Sequence, residues 1–226
     1  MKEKNKRILL WILDLLINIG VIFILVLIIQ KWLIAPFDVS GASMCDTLNI
    51  IKGKCETSFG EKIIINEAAY LFNKPERGDI VVFKNEDSAE KYFIKRIIGL
   101  PGDTVELKDG EVFLTPKESN KKIQLNEDYL NEFNKGNTED PLKLEVLKIP
   151  EDRYFVMGDN RQNSTDSRSC FSFFSVKCKE NPIHAFVKRK EIRGKAWIVW
   201  WPLQNMRIIK HKDYPEIPKN EAAGVN

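Results

Sequence analysis

Three stretches of this chain place side chains that together could hydrolyse an amide bond. Val39-Ser-Gly-Ala-Ser-Met-Cys-Asp-Thr-Leu48 sets Ser43 among small residues. A serine hydroxyl is a weak nucleophile until a base takes its proton, and closely spaced backbone amides can then face the developing oxyanion. Gly41 and Ala42 would also let a substrate backbone approach closely. The second stretch is Tyr92-Phe-Ile-Lys-Arg-Ile-Ile-Gly-Leu-Pro-Gly-Asp103. Read as a strand, it puts Phe93, Lys95 and Ile97 on one face, with Ile94 and Arg96 on the other. Lowering a lysine pKa from about 10.4 to about 8 requires roughly 3.3 kcal/mol of disfavoured charge, within reach of burial among such neighbours. The third stretch, Met157-Gly-Asp-Asn-Arg-Gln-Asn-Ser-Thr-Asp-Ser-Arg168, alternates Asp159, Arg161, Asp166 and Arg168 around hydroxyls such as Ser164. Turn-making explains part of that composition; the charge alternation predicts an ion-paired loop that holds a hydroxyl in place.

Other chemistries fit less well. A Ser-His-Asp triad would have to use His184, in a basic stretch, or His211, beside a polar tail. The S-x-x-K spacing of penicillin-recognising enzymes occurs at Ser88 to Lys91 and at Ser119 to Lys122, but in polar sequence and without Lys-Thr-Gly or Ser-Asp-Asn. Cys45, Cys55, Cys170 and Cys178 lack the tight knuckle spacing of a zinc site, so no metal is expected. Their even number suits an oxidising compartment. Local pairing would join 45 to 55 and 170 to 178, with two other pairings formally open.

These stretches need elements to position them. Ile8 to Ile29 is apolar except for Asp14, Asn18 and Gly20, and as a helix it would extend roughly 33 Å, enough for a hydrocarbon core of about 30 Å. A buried helix of a soluble protein would show one polar face, and a cleaved leader has an apolar region of only about 7 to 15 residues. Residues 8–33 therefore read as an uncleaved membrane anchor. Asp14 and Asn18, four apart, share one face of it. Lys2, Lys4, Lys6 and Arg7 within residues 1–7 predict a cytoplasmic N-terminus by the positive-inside rule, with the remaining chain outside. Residues 34–211 carry β-branched and aromatic runs such as Asp79-Ile-Val-Val-Phe83, Thr104-Val-Glu-Leu107, Glu111-Val-Phe-Leu114 and Ala196-Trp-Ile-Val-Trp200, which predict a mainly β domain. Lys108-Asp-Gly110 signals a hairpin. Residues 115–150 read as a polar surface insertion, and 212–226 as a loose polar tail. In the full chain of 226 residues, 35 Lys plus Arg against 32 Asp plus Glu give a net charge of only +3, so a nucleic-acid partner is not expected.

Taken in order, the anchor, Gly41-Ala-Ser-Met44 with Thr47-Leu48, Arg77-Gly-Asp-Ile-Val-Val-Phe83, Lys95-Arg-Ile-Ile-Gly-Leu-Pro-Gly-Asp103, Gly158-Asp-Asn-Arg161 with Ser164, Asp166-Ser-Arg168 and Gly194-Lys-Ala196 resemble the bacterial type I signal peptidases. These are membrane-anchored Ser-Lys endopeptidases that remove signal peptides from exported proteins, and the resemblance covers most of residues 8 to 203. It implies a signal-peptidase-like β catalytic domain on one transmembrane helix, single-pass in the cell membrane, with no cofactor. Its partners would be signal-peptide-bearing preproteins and the lipid bilayer. It makes Ser43 the nucleophile, Lys95 the general base and Ser164 a hydroxyl that orients the lysine. The Ser43 amide would form half of an oxyanion hole, and Gly41 stands where many members place the second donor. Val39 and Ile94 match positions lining shallow pockets for small residues before the cut. Arg96, Asp159, Asp166 and Arg168 match supporting ion pairs.

Two departures stand out. Asp46 replaces a usual proline after the nucleophile, so another restraint, such as a Cys45 to Cys55 disulfide, is expected to hold that turn. Ser169-Cys-Phe-Ser-Phe-Phe174 and a longer basic segment to Arg193 replace a usual aromatic-glycine pair. A catalytically inactive relative that binds exported chains is the alternative function. The aromatics Phe171, Phe173, Phe174, Trp197, Trp200 and Trp201, with Lys177, Lys179, Lys188, Arg189, Lys190 and Arg193, suggest a surface for the bilayer interface. Strand alternation would place Trp197 and Trp201 together and Trp200 opposite.

Overall fold

The computed structural model describes residues 2–85, 92–119, 121–143, 146–171 and 180–217. Helix α1 (Lys2–Trp32) is followed within two residues by β1 (Ile34–Ser40). Its Asn5–Leu27 segment is long and apolar enough to cross a membrane, and the protein buries none of it. A surface that is apolar all round suits the hydrocarbon of a membrane. Asn18 Nδ2 donates back to Asp14 O at 2.9 Å.

The strands continue as β2 (Ile50–Ile51), β3 (Lys54–Cys55), β4 (Phe59–Asn66), β5 (Ile80–Lys84) and β6 (Tyr92–Gly99). Then come β7 (Thr104–Lys108), β8 (Glu111–Thr115), β9 (Ile123–Gln124), β10 (Val146–Lys148), β11 (Arg153–Met157), β12 (Val187–Lys188), β13 (Ile192–Trp201) and β14 (Arg207–Ile208). The main sheet runs β1-β4-β13-β5-β6-β11-β12, with β14 paired to β13. A second sheet runs β10-β7-β8-β9, and β2 and β3 form a small ribbon.

Strand alternation explains the core. Along β5, Ile80 and Val82 join Ile63, Ile65, Ala196 and Val199 beneath Val39, Met44 and Leu48. Val81 and Phe83 face the other way, among Ile97, Tyr154 and Val156. β5 is thus buried on both faces, as its unbroken Ile-Val-Val-Phe run requires. A third cluster packs Ile98 and Phe155 against Val105, Val112, Leu114, Leu147 and Ile149, which couples the two sheets. The Lys108-Asp-Gly110 hairpin forms with φ of 52° at Asp109 and 81° at Gly110, and a Cβ at Gly110 would lie 2.0 Å from Gly136 O. Glycine is required there for both reasons.

Three expectations need correction. Residues 115–150 are not merely a surface insertion, because Leu125, Leu147 and Ile149 enter the core and Glu127, Asn134 and Thr138 are buried. Their apolar positions are sparse, and pairing to the rest of the domain rather than periodicity buries them. Nor is the described start of the tail loose. Tyr214 and Ile217 pack into the third cluster, and Asn126 N donates to Glu216 Oε1 at 2.9 Å. Residues 218–226 lie outside the described residues. Finally, β13 does not alternate cleanly, since its pairing with β4 shifts register between Ala196 and Ile198 and between Val199 and Trp201. Trp197, Trp200 and Trp201 are consequently all exposed.

Candidate active site

β1 ends at Ser40, and Gly41 turns the chain at φ 86° into the segment that carries Ser43. That turn is closed by Cys45 N to Ala42 O at 3.0 Å, Thr47 N to Met44 O at 2.8 Å and Leu48 N to Met44 O at 2.7 Å. The Ser43 amide is not among those bonds. Met44 and Leu48 anchor the turn in the core at 1% and 0% exposure, while Ser43, just before Met44, stays partly accessible. Asn49 holds the turn from behind. Its Nδ2 donates to Gly41 O, Glu56 O and Ser58 O, while its Oδ1 accepts from Glu61 N.

Lys95 lies in β6 between β5 and β11, with only 3% exposure. Its Nζ donates to Ser43 Oγ at 2.7 Å and to Ile94 O at 2.9 Å. Burial pulls its pKa down to about 8, against the upward pull of the Asp166 and Asp159 carboxylates. Near neutral pH a useful fraction of the amine is therefore uncharged, and an uncharged amine can accept the serine proton across the same contact.

Ser164 does not make the expected bond to this lysine. Its Oγ is buried, lies against the Asp166 carboxylate and helps to hold that acid ionised, and it stands where a Cβ on Gly158 would meet it at 2.3 Å. Val39 is buried in the cluster under the turn, and Ile94 packs half-buried against the same cluster. The two side chains share one apolar floor, and a Cβ at Gly41 would meet nothing within 4 Å.

The ion pairs fix the surrounding loop. A bulge in the β6–β11 pairing sets Arg96 opposite Met157, and its guanidinium grips Asp159 through Nε at 2.9 Å and a terminal nitrogen at 2.6 Å. Asp159 also accepts from Thr47 Oγ1 at 2.5 Å, which ties the loop to the serine turn. Asp166 and Arg168 pair at 2.8 Å. Burial alone would raise the Asp166 carboxyl, but the Arg168 guanidinium and the Gly158 amide hold it below its ordinary value.

Several contacts went unread in the sequence. Asn160 donates from its backbone N to Ser43 O and from Nδ2 to Ala42 O, each at 3.0 Å. Arg161 donates from Nε to Gly158 O at 3.1 Å within the loop and reaches outward to pair with Glu127, with a further bond to Thr138 Oγ1 at 2.8 Å. Nothing in spacing links 127 to 161; the only sequence signal was a second arginine in the loop. Cys45 and Cys55 are joined as a disulfide. Cys170 is also oxidised, while its expected partner Cys178 lies outside the described residues, as do Phe173, Phe174, Lys177, Lys179, and the Ser88 and Lys91 of the S-x-x-K match. His211 pairs with Asp79 at 3.3 Å instead of approaching the serine.

A β-rich domain carried on an apolar helix, with a serine hydroxyl against a buried lysine, has the make-up of a membrane-anchored serine hydrolase. The family model described as "Signal peptidase, peptidase S26" matches residues 12–201. Signal peptidase I P of Bacillus subtilis subsp. natto is 35% identical over 213 residues, covering 92% of this chain and 97% of the relative. Signal peptidase I S of Bacillus subtilis strain 168 is 32% identical, covering 91% and 95%. A crystal structure of a signal peptidase I from Enterococcus faecalis V583 is 29% identical over 54% of this chain and 97% of that one, with a TM-score of 0.36. The chain belongs to the signal peptidase family, peptidase S26. It is a membrane-anchored serine endopeptidase that removes signal peptides.

Proposed function

We propose that Ser43 is the nucleophile and Lys95 the general base of this peptidase. The observation that carries the reading is the 2.7 Å contact between Lys95 Nζ and Ser43 Oγ, with the lysine buried. Neutral Lys95 takes the hydroxyl proton as Oγ bonds to the carbonyl carbon of the substrate. The Ser43 amide, uncommitted within the turn, donates to the resulting oxyanion. Lys95 then returns the proton to the leaving nitrogen as the C–N bond breaks, giving an acyl-enzyme and a free mature N-terminus. A water, deprotonated by the same amine, attacks the ester, and the proton passes back to Ser43 Oγ as it leaves. Asp159, Arg96, Asp166 and Arg168 hold the loop without entering the reaction, and Val39 and Ile94 floor the site for small side chains of the preprotein.

The basic residues Lys2, Lys4, Lys6 and Arg7 orient the anchor with its N-terminus in the cytoplasm and the β domain outside. β1 then carries Ser43 on the order of 20 Å beyond the helix end, close to where a signal peptide leaves its own apolar run. Trp197, Trp200 and Trp201, at 43%, 38% and 45% exposure, lie near the still more exposed Leu203, Met206 and Ile208. This apolar surface suits the bilayer interface. Arg189 and Arg193 have partners within the domain, Tyr70 O and Glu67, and Phe171 packs on Phe83 and Phe93. The tryptophan edge, rather than those groups, therefore meets lipid.

The test is purified full-length enzyme in detergent with a labelled preprotein. Ser43→Ala and Lys95→Ala should each abolish cleavage with the fold retained, and nearly to the same degree, because they interrupt one unit. Cleavage at the wild-type rate by Lys95→Ala would exclude lysine as the base, and no cleavage by the wild type would favour the inactive relative.

A further inference from the structure

Asp46 lies three residues past Ser43 and is held in an unusual way. Its carboxylate accepts from Asn131 N at 2.9 Å, from Asn131 Nδ2 at 2.8 Å, and from Asn134 Nδ2 through both oxygens at 3.1 and 3.0 Å. All of these donors come from one turn in the 115–150 region, far along the chain. Asn134 is only 2% exposed, and its remaining amide oxygen accepts from Gln162 N at 3.3 Å. Gln162 in turn follows Asn160 by two residues, and Asn160 holds Ser43 O and Ala42 O. The contacts close a ring that runs from the serine turn through Asp46, Asn134 and the 160–162 loop back to Ser43.

We propose that Asp46 and Asn134 are positioning residues that clamp the serine turn so that Ser43 Oγ stays within reach of Lys95. The inference rests on Ser43 being the nucleophile. A tight turn after a nucleophile needs a restraint. Proline supplies one by fixing φ within the chain, whereas aspartate does so only through what its side chain grips. Hydrogen bonds to a carboxylate are among the stronger ones available, and here they are shared between a partly buried acid and a buried amide. Ser43 Oγ needs such a tie, because displacement of a reacting atom by about 1 Å can cost on the order of 100-fold in rate. The 115–150 region, whose described residues share no bond with Ser43 itself, thereby acts on the reaction through the turn.

Full-length enzyme in detergent, assayed on a labelled preprotein, separates the alternatives. Asp46→Ala and Asn134→Ala should each lower kcat by roughly 10- to 100-fold with KM within about twofold. The double variant should be no slower than the slower single, since both remove one clamp. Asp46→Asn, the same shape with one acceptor oxygen replaced by a donor, reads the same loss if Asp46→Ala does not accumulate. Adding Asn134→Asp to Asp46→Asn restores the amide-to-carboxylate bond in reverse and should recover kcat several-fold. Ser43→Ala is the control: if it still cleaves, the assignment of the nucleophile is wrong. If it is dead while Asp46→Ala and Asp46→Asn keep wild-type kcat per folded molecule, or the single effects multiply in the double variant, the clamp is overturned and Asp46 is only a structural residue.

Discussion

Asn160 holds Ser43 through the backbone: its N–H donates to Ser43 O at 3.0 Å while its side chain reaches back to Ala42 O. The serine turn therefore leans on the 158–168 loop, and Gly158 allows the approach, because a Cβ there would meet Ser43 O at 2.4 Å and Ser164 Oγ at 2.3 Å. Asn160→Ala keeps the backbone bond to Ser43 O and removes only the side-chain bond to Ala42 O, so it should reduce kcat by about 10-fold through a looser serine turn. Gly158→Ala should cost about 1 to 3 kcal/mol of stability by overpacking and lower activity further. Preprotein cleavage rates beside thermal melts check both; a Gly158→Ala enzyme with wild-type values of each would contradict the close approach.

The Lys95 pKa near 8 sets a pH profile. Activity requires the neutral amine, so kcat/KM for the free enzyme should rise with pH and level off above about 8. The stability effect has a definite sign. Since the folded value lies below the ordinary 10.5, the unfolded chain binds the extra proton between about 8 and 10.5, and stability gains from rising pH across that window. Below about 8 the burial penalty is fully present, of order 3 kcal/mol. Lys95→Met should accordingly melt higher than the wild type at pH 7 while cutting nothing. A melting temperature equal to or below that of the wild type would show that the lysine is not held against its charge.

The Cys45–Cys55 disulfide closes the loop just after Ser43. A loop of this length contributes on the order of 3 kcal/mol through the unfolded chain. Cys45→Ala with Cys55→Ala should lower stability by up to that amount and loosen residues 45–55, measured by hydrogen exchange. Cleavage should be slowed rather than abolished, because Asn49, Asp46 and Thr47 retain their bonds to the turn. Complete loss of cleavage by a folded double variant would assign the disulfide a larger share than the turn's other restraints.

Ser43, Lys95 and the ion-paired character of the 158–168 loop could be picked out because each sits in a local pattern: a small-residue turn, an apolar strand, and alternating charge; that Asp159 takes its partner Arg96 from β6 could not. The strands and the Asp109–Gly110 hairpin were legible from alternation and turn chemistry for the same reason. Glu127, Asn131 and Asn134 were not, since their importance lies in partners far along the chain and their own surroundings are polar and aperiodic. Tyr214 and Ile217 were hidden similarly, as two apolar residues in a proline-rich polar stretch carry no period. The exposed face of β13 was misread because alternation assumes an unbroken ladder, and two register shifts turn Trp200 and Trp201 out together.

The tryptophan edge gives the last prediction. Trp200 and Trp201 lie 6.4 Å apart between ring centroids on the exposed end of β13, with Leu203, Met206 and Ile208 beside them. An indole suits the headgroup region because its ring is apolar and its N–H still finds a partner. In a variant whose helix tryptophans are removed, Trp11→Phe with Trp32→Phe, the remaining emitters are Trp197, Trp200 and Trp201. Reconstituted into nanodiscs, this protein should lose fluorescence when lipids brominated near the headgroup end of the acyl chain replace ordinary ones. Adding Trp197→Ser and Trp200→Ser should remove much of the quenched signal and slow cleavage of a membrane-inserted preprotein more than that of a short soluble peptide. The peptide isolates chemistry at Ser43 from delivery along the bilayer, so equal slowing on both substrates would place the defect in the fold. Emission unaffected by brominated lipid would show that the edge stands clear of the membrane.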